Sequence, residues 1–163
     1  MLFLQPGIIK TENQFQKIQN KSSGIGGILR FYPWKFLTAG VCGGNQKSSY
    51  SSLNSTNSFI SMGYGGGFAG CSIKTEKFRF TASFLVGKGR VKNLHIESQN
   101  QSVLNEAYLF QNSTMVYSPI ISVDYFISKK ILLCVQGVYL FAKAHNNKAL
   151  TNPALQIGVL FNR

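Results

Sequence analysis

The stretch from Phe59 to Val91 constrains the fold most, because it has the pattern of one long β-hairpin. Its first arm alternates large apolar residues with glycines, and a charged turn, Thr75-Glu76-Lys77, joins it to the second arm. In the second arm, apolar residues at alternate positions are Phe78, Phe80, Ala82, Phe84 and Val86. Successive side chains of a strand point to opposite faces, so the hairpin has one apolar face and one small or polar face. The apolar face fits the core of a soluble sheet or the lipid face of a membrane barrel.

The connections between the predicted strands favour the barrel. They are alternately long and short, at 10–23, 33–34, 45–56, 75–77, 93–105, 128–130 and 145–152. This alternation is typical of outer-membrane barrels, whereas a lipocalin-like barrel of equal strand number gives no reason for it. We therefore predict one all-β domain over residues 1–163, with residues 1–23 as a terminal strand and loop. It is an eight-stranded antiparallel up-and-down transmembrane β-barrel with long outer loops and short periplasmic turns.

The composition agrees with a membrane barrel. Charged residues make up 13% of the chain, about half of the ~25% that is usual in soluble proteins. The longest apolar run is Ile131 to Val135, far short of the ~20 residues that a transmembrane helix needs. The net charge of +12 implies an anionic neighbour. Because the basic residues are scattered and no nucleic-acid-binding motif is present, we do not expect that neighbour to be nucleic acid.

Three stretches resemble the small outer-membrane β-barrel proteins of Gram-negative bacteria. They are Gly63–Phe68, Leu85–Gly89 and Leu155–Phe161, and the resemblance in pattern covers most of the chain after Gly24. It implies a location in the cell outer membrane, among outer-membrane lipid and lipopolysaccharide. It also implies recognition by the barrel-assembly machinery of an aromatic near the carboxyl end, which Phe161 resembles. Since Met1–Lys10 has no signal-peptide pattern, we expect the export signal to lie upstream.

A first candidate site consists of lysines in the predicted long loops. They are Lys17, Lys21, Lys47, Lys92 and Lys148. We expect them to share one rim of the barrel and to contact an anionic surface such as lipopolysaccharide. Attraction to such a surface contributes about 1 kcal/mol for each nearby Lys or Arg.

A second candidate site is a group of charges on the small-residue face. Arg79 and Asp124 lie near the short-turn ends of their strands, and Arg30 lies near the same end of its own strand. Charges are costly on a lipid face, so we predict that these residues face the lumen and pair. An unpaired charge there costs several kcal/mol, which predicts that Arg79→Ala destabilises the fold more than Lys77→Ala. Because eight strands enclose little more than their own side chains, we favour a charged plug over an ion path.

The sequence gives little support for catalysis or metal binding. His95, Glu97 and Ser98 are the only catalytic candidates, and some outer-membrane barrels that modify lipid A use such residues. Their spacing, His-x-x-Ser, differs from the His-x-Ser of the deacylases, so we predict no catalytic residue and no enzyme. The three cysteines are far apart and lack ligand spacing, which predicts no metal site and no cofactor. A disulfide between Cys42 and Cys71 stays open at this point.

We predict a structural, adhesive or surface-binding role without catalysis. The alternatives are a soluble lipocalin-like barrel that binds an apolar ligand and a lipid-modifying outer-membrane enzyme. The orientation of the hairpin separates the membrane and soluble alternatives. In the membrane barrel, Phe78, Phe80 and Phe84 lie on the protein surface and the glycine face from Gly63 to Gly67 lies inside. In the soluble barrel, the phenylalanines lie in the core.

Overall fold

The chain closes into a barrel of antiparallel strands. The computed structural model describes residues 1–12, 17–52, 55–100, 103–128, 130–143 and 149–161. Within these ranges it contains nine β segments. They are β1 (Leu2–Leu4), β2 (Gly7–Glu12), β3 (Lys17–Phe31), β4 (Leu37–Ser52), β5 (Ser55–Lys74), β6 (Phe78–Asn100), β7 (Val103–Phe126), β8 (Ile131–Lys143) and β9 (Ala149–Phe161). No helix in the described part of the chain is long and apolar enough to cross a membrane.

The nine segments form eight strands of the barrel. β1 and β2 both pair with β3 and β9, and they keep one register across Gln5 and Pro6. Proline has no backbone N–H for the ladder, which accounts for the short interruption. Each later segment pairs antiparallel with its neighbours in sequence, and the pairing of β9 with β1 and β2 closes the ring. The predicted fold class is confirmed.

The two ends of the barrel differ in how far the strands extend. We call one end the turn end, because short connections close it at Tyr32–Phe36, Thr75–Lys77 and 127–130. Leu2 and Phe161 also lie there. We call the other end the hairpin end, because β5, β6 and β7 run on to lengths of 20, 23 and 24 residues there.

The segments that the sequence predicted as long loops are mostly strand. β4 continues to Ser52 and β5 starts at Ser55, while β6 continues to Asn100 and β7 starts at Val103. Likewise, β2, β3 and β9 take up much of 10–23 and 145–152. Both faces of these extensions carry polar residues, so the apolar alternation that identifies a strand disappears. The backbone hydrogen bonds of the ladder need no such alternation and continue.

The outer surface carries a belt of exposed apolar side chains. Phe78, Phe80 and Phe84 are 40%, 48% and 50% exposed, so their predicted outward orientation is confirmed. Exposed large apolar residues of the other strands include Leu4, Ile25, Leu29, Phe31, Val41, Ile73, Ile121, Leu133, Val135, Phe141, Leu155 and Ile157. A soluble barrel buries its apolar face, whereas a transmembrane barrel turns an apolar band toward lipid. The belt therefore argues against the lipocalin-like alternative.

The predicted orientation of the first hairpin arm is wrong. Met62 and Tyr64 point into the barrel and are buried, so Gly63, Gly65 and Gly67 point outward. The physical reason is that neither face of this arm carries a charge. Lipid and lumen both accept apolar or small residues, and the interior of a small barrel must be filled by side chains.

Two glycines on opposite faces provide a test of this orientation. A Cβ at Gly40 would collide with the backbone carbonyl oxygen of Leu29 and would also lie 2.8 and 2.9 Å from the ring of Phe68, its inward-facing cross-strand partner. Overpacking of this kind costs about 1–3 kcal/mol, so we expect Gly40→Ala to lower the free energy of unfolding by that amount. A Cβ at Gly63 would meet nothing within 4 Å, and we expect Gly63→Ala to change it by less than about 0.5 kcal/mol. Urea unfolding in detergent micelles measures both, and a large loss at Gly63 would place that residue inside.

Candidate functional site

The inward side chains fill the lumen in successive layers from the turn end to the hairpin end. A charged layer lies at the turn end, and a layer of glutamine and tyrosine side chains follows it. The next layer is apolar and contains Ile9, Ile60, Met62, Val91, Val116, Leu140 and Leu150. A polar layer with Tyr50 and His95 lies beyond it, toward the hairpin end.

The charged layer contains the three residues that the sequence singled out. Arg79 and Asp124 are direct cross-strand partners on β6 and β7, as their similar depth near the short turns indicated. The ion pair, however, joins Asp124 to Arg30: Arg30 Nη1 lies 2.9 Å from Oδ2 and 3.3 Å from Oδ1. The side chains of Arg30 and Asp124 are 1% and 0% exposed. Arg30 reaches Asp124 across the lumen from β3, a contact that strand neighbours do not reveal.

Arg79 is held by aromatic rings. Its guanidinium lies 3.8 Å from the centre of the Tyr32 ring and 5.5 Å from that of Phe126. The Tyr32 hydroxyl lies 3.5 Å from Asp124 Oδ2, so the ring bridges the unpaired guanidinium and the ion pair. Cation–π contacts contribute about 0.5–2 kcal/mol. We therefore expect Arg30→Ala to destabilise the fold more than Arg79→Ala, while the larger effect of Arg79→Ala than of Lys77→Ala stays a prediction.

The glutamine layer continues the charged layer along the barrel axis. Arg30 Nη2 donates to Gln136 Oε1 at 2.9 Å, and Gln136 in turn donates to Gln156. Gln156 Nε2 donates to the Tyr64 hydroxyl at 2.9 Å, and that hydroxyl donates to Gln5 Oε1 at 2.8 Å. Buried polar groups need such partners, and these side chains occupy the lumen between the charged layer and the apolar layer. The charged plug stays a prediction.

Of the three catalytic candidates, the structure describes the side chain of His95. His95 is 4% exposed and stacks on Tyr50, whose hydroxyl lies 3.3 Å from His95 Nδ1. The same hydroxyl donates to Asn93 Oδ1 at 2.7 Å. The side chains of Glu97 and Ser98 lie outside the described residues. Among the residues that the structure describes, no group of three or more potential metal ligands occurs.

The three cysteines are free thiols. Cys42 is buried in the lumen, and so is Cys134. Cys71 is exposed on the outer wall. A disulfide requires side chains that approach each other. Since Cys42 and Cys71 point to opposite faces of the wall, the bridge that the sequence left open does not form in this fold.

The lysines of the first candidate site lie on strands rather than in loops. Lys17 and Lys21 are on β3, Lys47 is on β4 and Lys92 is on β6, all toward the hairpin end. All four are exposed, and Lys148 lies outside the described residues. Lys47 and Lys92 flank Ser61 of β5 in one row of the ladder. Their Cα atoms are therefore about 10 Å apart, at about 4.8 Å per strand.

Two further basic residues belong to this surface and were missed by sequence reasoning. Lys88 and Arg90 are exposed on the same face of β6 as Lys92, in steps of about 7 Å. They continue the outward positions of β6 that alternate from Phe78 to Val86. Extending this alternation to Arg90 would have identified both residues. We call the outward group Lys17, Lys21, Lys47, Lys88, Arg90 and Lys92 the basic rim. The ammonium group of Lys47 is 4.4 Å from the Phe59 ring centre.

Comparisons with known proteins show the fold. No family model matches the chain, and no curated protein matches it. Among solved structures, Neisserial surface protein A aligns with a TM-score of 0.62 and 10% identity over 98% of this chain and 94% of the other. Ail, the attachment invasion locus protein of Yersinia pestis, was solved in complex with the heparin analogue sucrose octasulfate. It aligns with a TM-score of 0.52 and 12% identity over 98% and 96%. The chain thus has the fold of the eight-stranded outer-membrane barrels, the fold that its resemblance to this class implied.

Proposed function

We propose that this chain is an outer-membrane β-barrel whose basic rim binds anionic saccharides at the cell surface, without catalysis. The observation that carries the proposal is the basic rim itself, a group of cations on the outer face toward the hairpin end. Lys88, Arg90 and Lys92 follow one another on β6, and Lys47 lies two strands away.

The location in the outer membrane rests on the apolar belt and on the fold. A belt of exposed phenylalanine, leucine, isoleucine and valine side chains needs lipid around it, and a barrel satisfies its own backbone hydrogen bonds there. With the short turns in the periplasm, the hairpin end faces the outside. Extraction tests this location. The chain should require detergent and should migrate differently in gels before and after heating, whereas a monomer soluble in plain buffer would contradict it.

The spacing of the basic rim suits a ligand that carries several negative groups. Cations about 7–10 Å apart can each face a different phosphate or sulfate of one saccharide. Each nearby cation adds about 1 kcal/mol to attraction by an anionic surface. The complex of Ail with a heparin analogue supports this chemistry for a barrel of the same fold. Lipopolysaccharide in the same membrane and sulfated polysaccharides outside the cell both carry several negative groups of this kind.

Removal of two charges from the basic rim tests this proposal. We expect Lys47→Gln together with Lys92→Gln to weaken binding to heparin and to lipopolysaccharide vesicles by about 30-fold at low salt, at about 1 kcal/mol per charge. The matched control is Lys35→Gln with Lys77→Gln, which removes two exposed charges at the turn end. Surface plasmon resonance at two salt concentrations measures both variants. An equal loss in the control would show that only the net charge matters. Loss for one ligand alone identifies which source the rim prefers.

We also propose that the chain is not an enzyme. The support is the position of His95, which is buried and stacked on Tyr50 inside the barrel. A general base must reach the proton that it abstracts from a bound substrate, and His95 is only 4% exposed inside the barrel. Mass spectrometry of lipid A from cells with and without the protein tests the enzymatic alternative. A change in acylation would contradict our proposal.

A further inference from the structure

Among the described residues, the mouth of the lumen at the turn end carries more positive than negative charge. Lys74, Arg79 and Asp124 are neighbours in one row across β5, β6 and β7, and Arg30 reaches the same carboxylate from β3. We call Arg30, Tyr32, Lys74, Arg79 and Asp124 the mouth cluster. It contains three cations and one carboxylate. Lys74 is exposed to solvent at the mouth, and so is Glu76, the acidic residue of the adjoining turn.

The single carboxylate of the mouth cluster is already used. Both oxygens of Asp124 accept from Arg30, and the Tyr32 hydroxyl also faces Oδ2. Arg79 and Lys74 face aromatic rings instead: Lys74 Nζ is 5.0 Å from the Phe126 ring centre, and Arg79 lies over Tyr32. A ring face attracts a cation but offers no oxygen acceptor. In the described part of the chain, the buried Nε atoms of Arg30 and Arg79 have no hydrogen-bond partner.

A cavity adjoins these unpaired donors. Arg30, Tyr32 and Arg79 line it together with Leu132 and Leu160, and its volume is about 830 Å³. A water molecule occupies about 30 Å³ in the liquid, so the cavity has room for a hydrated oxyanion. The planar guanidinium presents paired N–H groups that match two oxygens of a carboxylate or phosphate. We propose that the mouth cluster binds an oxyanion, a phosphate or a carboxylate, in this cavity against Arg79.

This site is separate from the basic rim. It lies inside the barrel at the turn end, whereas the basic rim lies on the outer face toward the hairpin end. An oxyanion here would supply the missing acceptor for Arg79 and would offset the excess positive charge. The inference does not rest on saccharide binding, and either proposal can fail without the other.

Arginine side-chain NMR tests the site directly. The full chain, with ¹⁵N-labelled arginine, is held in a maltoside detergent that contains no phosphate. It is titrated with inorganic phosphate, and separately with acetate, at constant ionic strength set by sodium chloride. We expect the Nε–Hε resonance of Arg79 to shift and to saturate with one of the two anions. Which anion acts assigns the ligand class. Absence of a saturating shift with both anions would overturn the proposal.

A pair of matched variants gives an independent readout. At phosphate or acetate concentrations ten times the dissociation constant, the folding equilibrium of the unmutated chain should shift about tenfold toward the folded state. Lys77→Gln, in the exposed turn, should retain this shift, and Arg79→Gln should lose it. An equal shift in both variants would assign the effect to general screening and overturn the proposal. If Arg79→Gln does not fold, the NMR titration of the unmutated chain decides.

Discussion

Asp124→Asn should lower the free energy of unfolding of the barrel by about 3–5 kcal/mol, the usual cost of removing one partner from a buried ion pair. Asp124 is fully buried, and its two oxygens accept from Arg30. Without this carboxylate, Arg30 loses its ion-pair partner while its side chain stays buried. Urea unfolding in detergent micelles, followed by the fluorescence of Trp34, the single tryptophan of the chain, measures the loss.

The control is Glu76→Gln, which also removes one negative charge but lies in the exposed turn. Exposed substitutions usually change stability by less than about 0.5 kcal/mol. A loss equal to that of Asp124→Asn would show that net charge matters rather than the ion pair. Among the arginines, Arg30→Gln should cost more than Arg79→Gln, because only Arg30 bonds to the carboxylate. The reverse order would contradict the pairing.

Ile121→Arg should lower the free energy of unfolding by about 2–4 kcal/mol, the cost of a basic residue on the lipid face near the bilayer midplane. Ile121 is 69% exposed on the outer face of β7 and lies beside Ala82 of β6 within the apolar belt. In a soluble protein, a residue this exposed would tolerate the substitution, because surface substitutions usually change the free energy of unfolding by less than about 0.5 kcal/mol. The substitution therefore distinguishes lipid from water as the neighbour of this surface. Unfolding in lipid vesicles is the appropriate measurement.

Gln111→Arg is the matched control, because Gln111 lies on the same strand and the same outer face but toward the hairpin end. Outside the bilayer midplane the cost of arginine falls to about 0–1 kcal/mol. We expect the two variants to differ by at least about 1 kcal/mol, from the depth dependence of the cost. Similar small losses at both positions would indicate that the belt does not lie in lipid.

The sequence alone predicted the architecture. Alternation with a period of two residues identifies a strand wherever one face is apolar and the other polar or small, as from Phe78 to Val86. Three short turns mark where strands reverse at one end of the barrel. Together they predicted eight strands and placed Arg79 and Asp124 at similar depth, because each lies close to a short turn at the same end of the barrel.

The sequence could not determine which face of an uncharged strand meets lipid, or where polar strands end. Between Met62 and Gly67, large apolar and glycine residues alternate, and either set can face lipid or lumen. The closure of the barrel decides this, because the interior needs the bulk of Tyr64 and its neighbours. Near Ser52 and Asn100 the ladder continues through polar residues, since its energy comes from backbone hydrogen bonds and not from the side-chain pattern.

Only the tertiary structure identified the partner of Asp124. Neighbouring strands can be aligned from their turns, but contacts across the lumen depend on the tilt and stagger with which all eight strands close. These quantities bring Arg30 of β3 to the carboxylate on β7 and leave Arg79 on the ring of Tyr32. The sequence thus predicted that Arg30, Arg79 and Asp124 face the lumen at the turn end. The closed barrel decided which of them pair, because pairing across an interior is a property of the whole ring of strands.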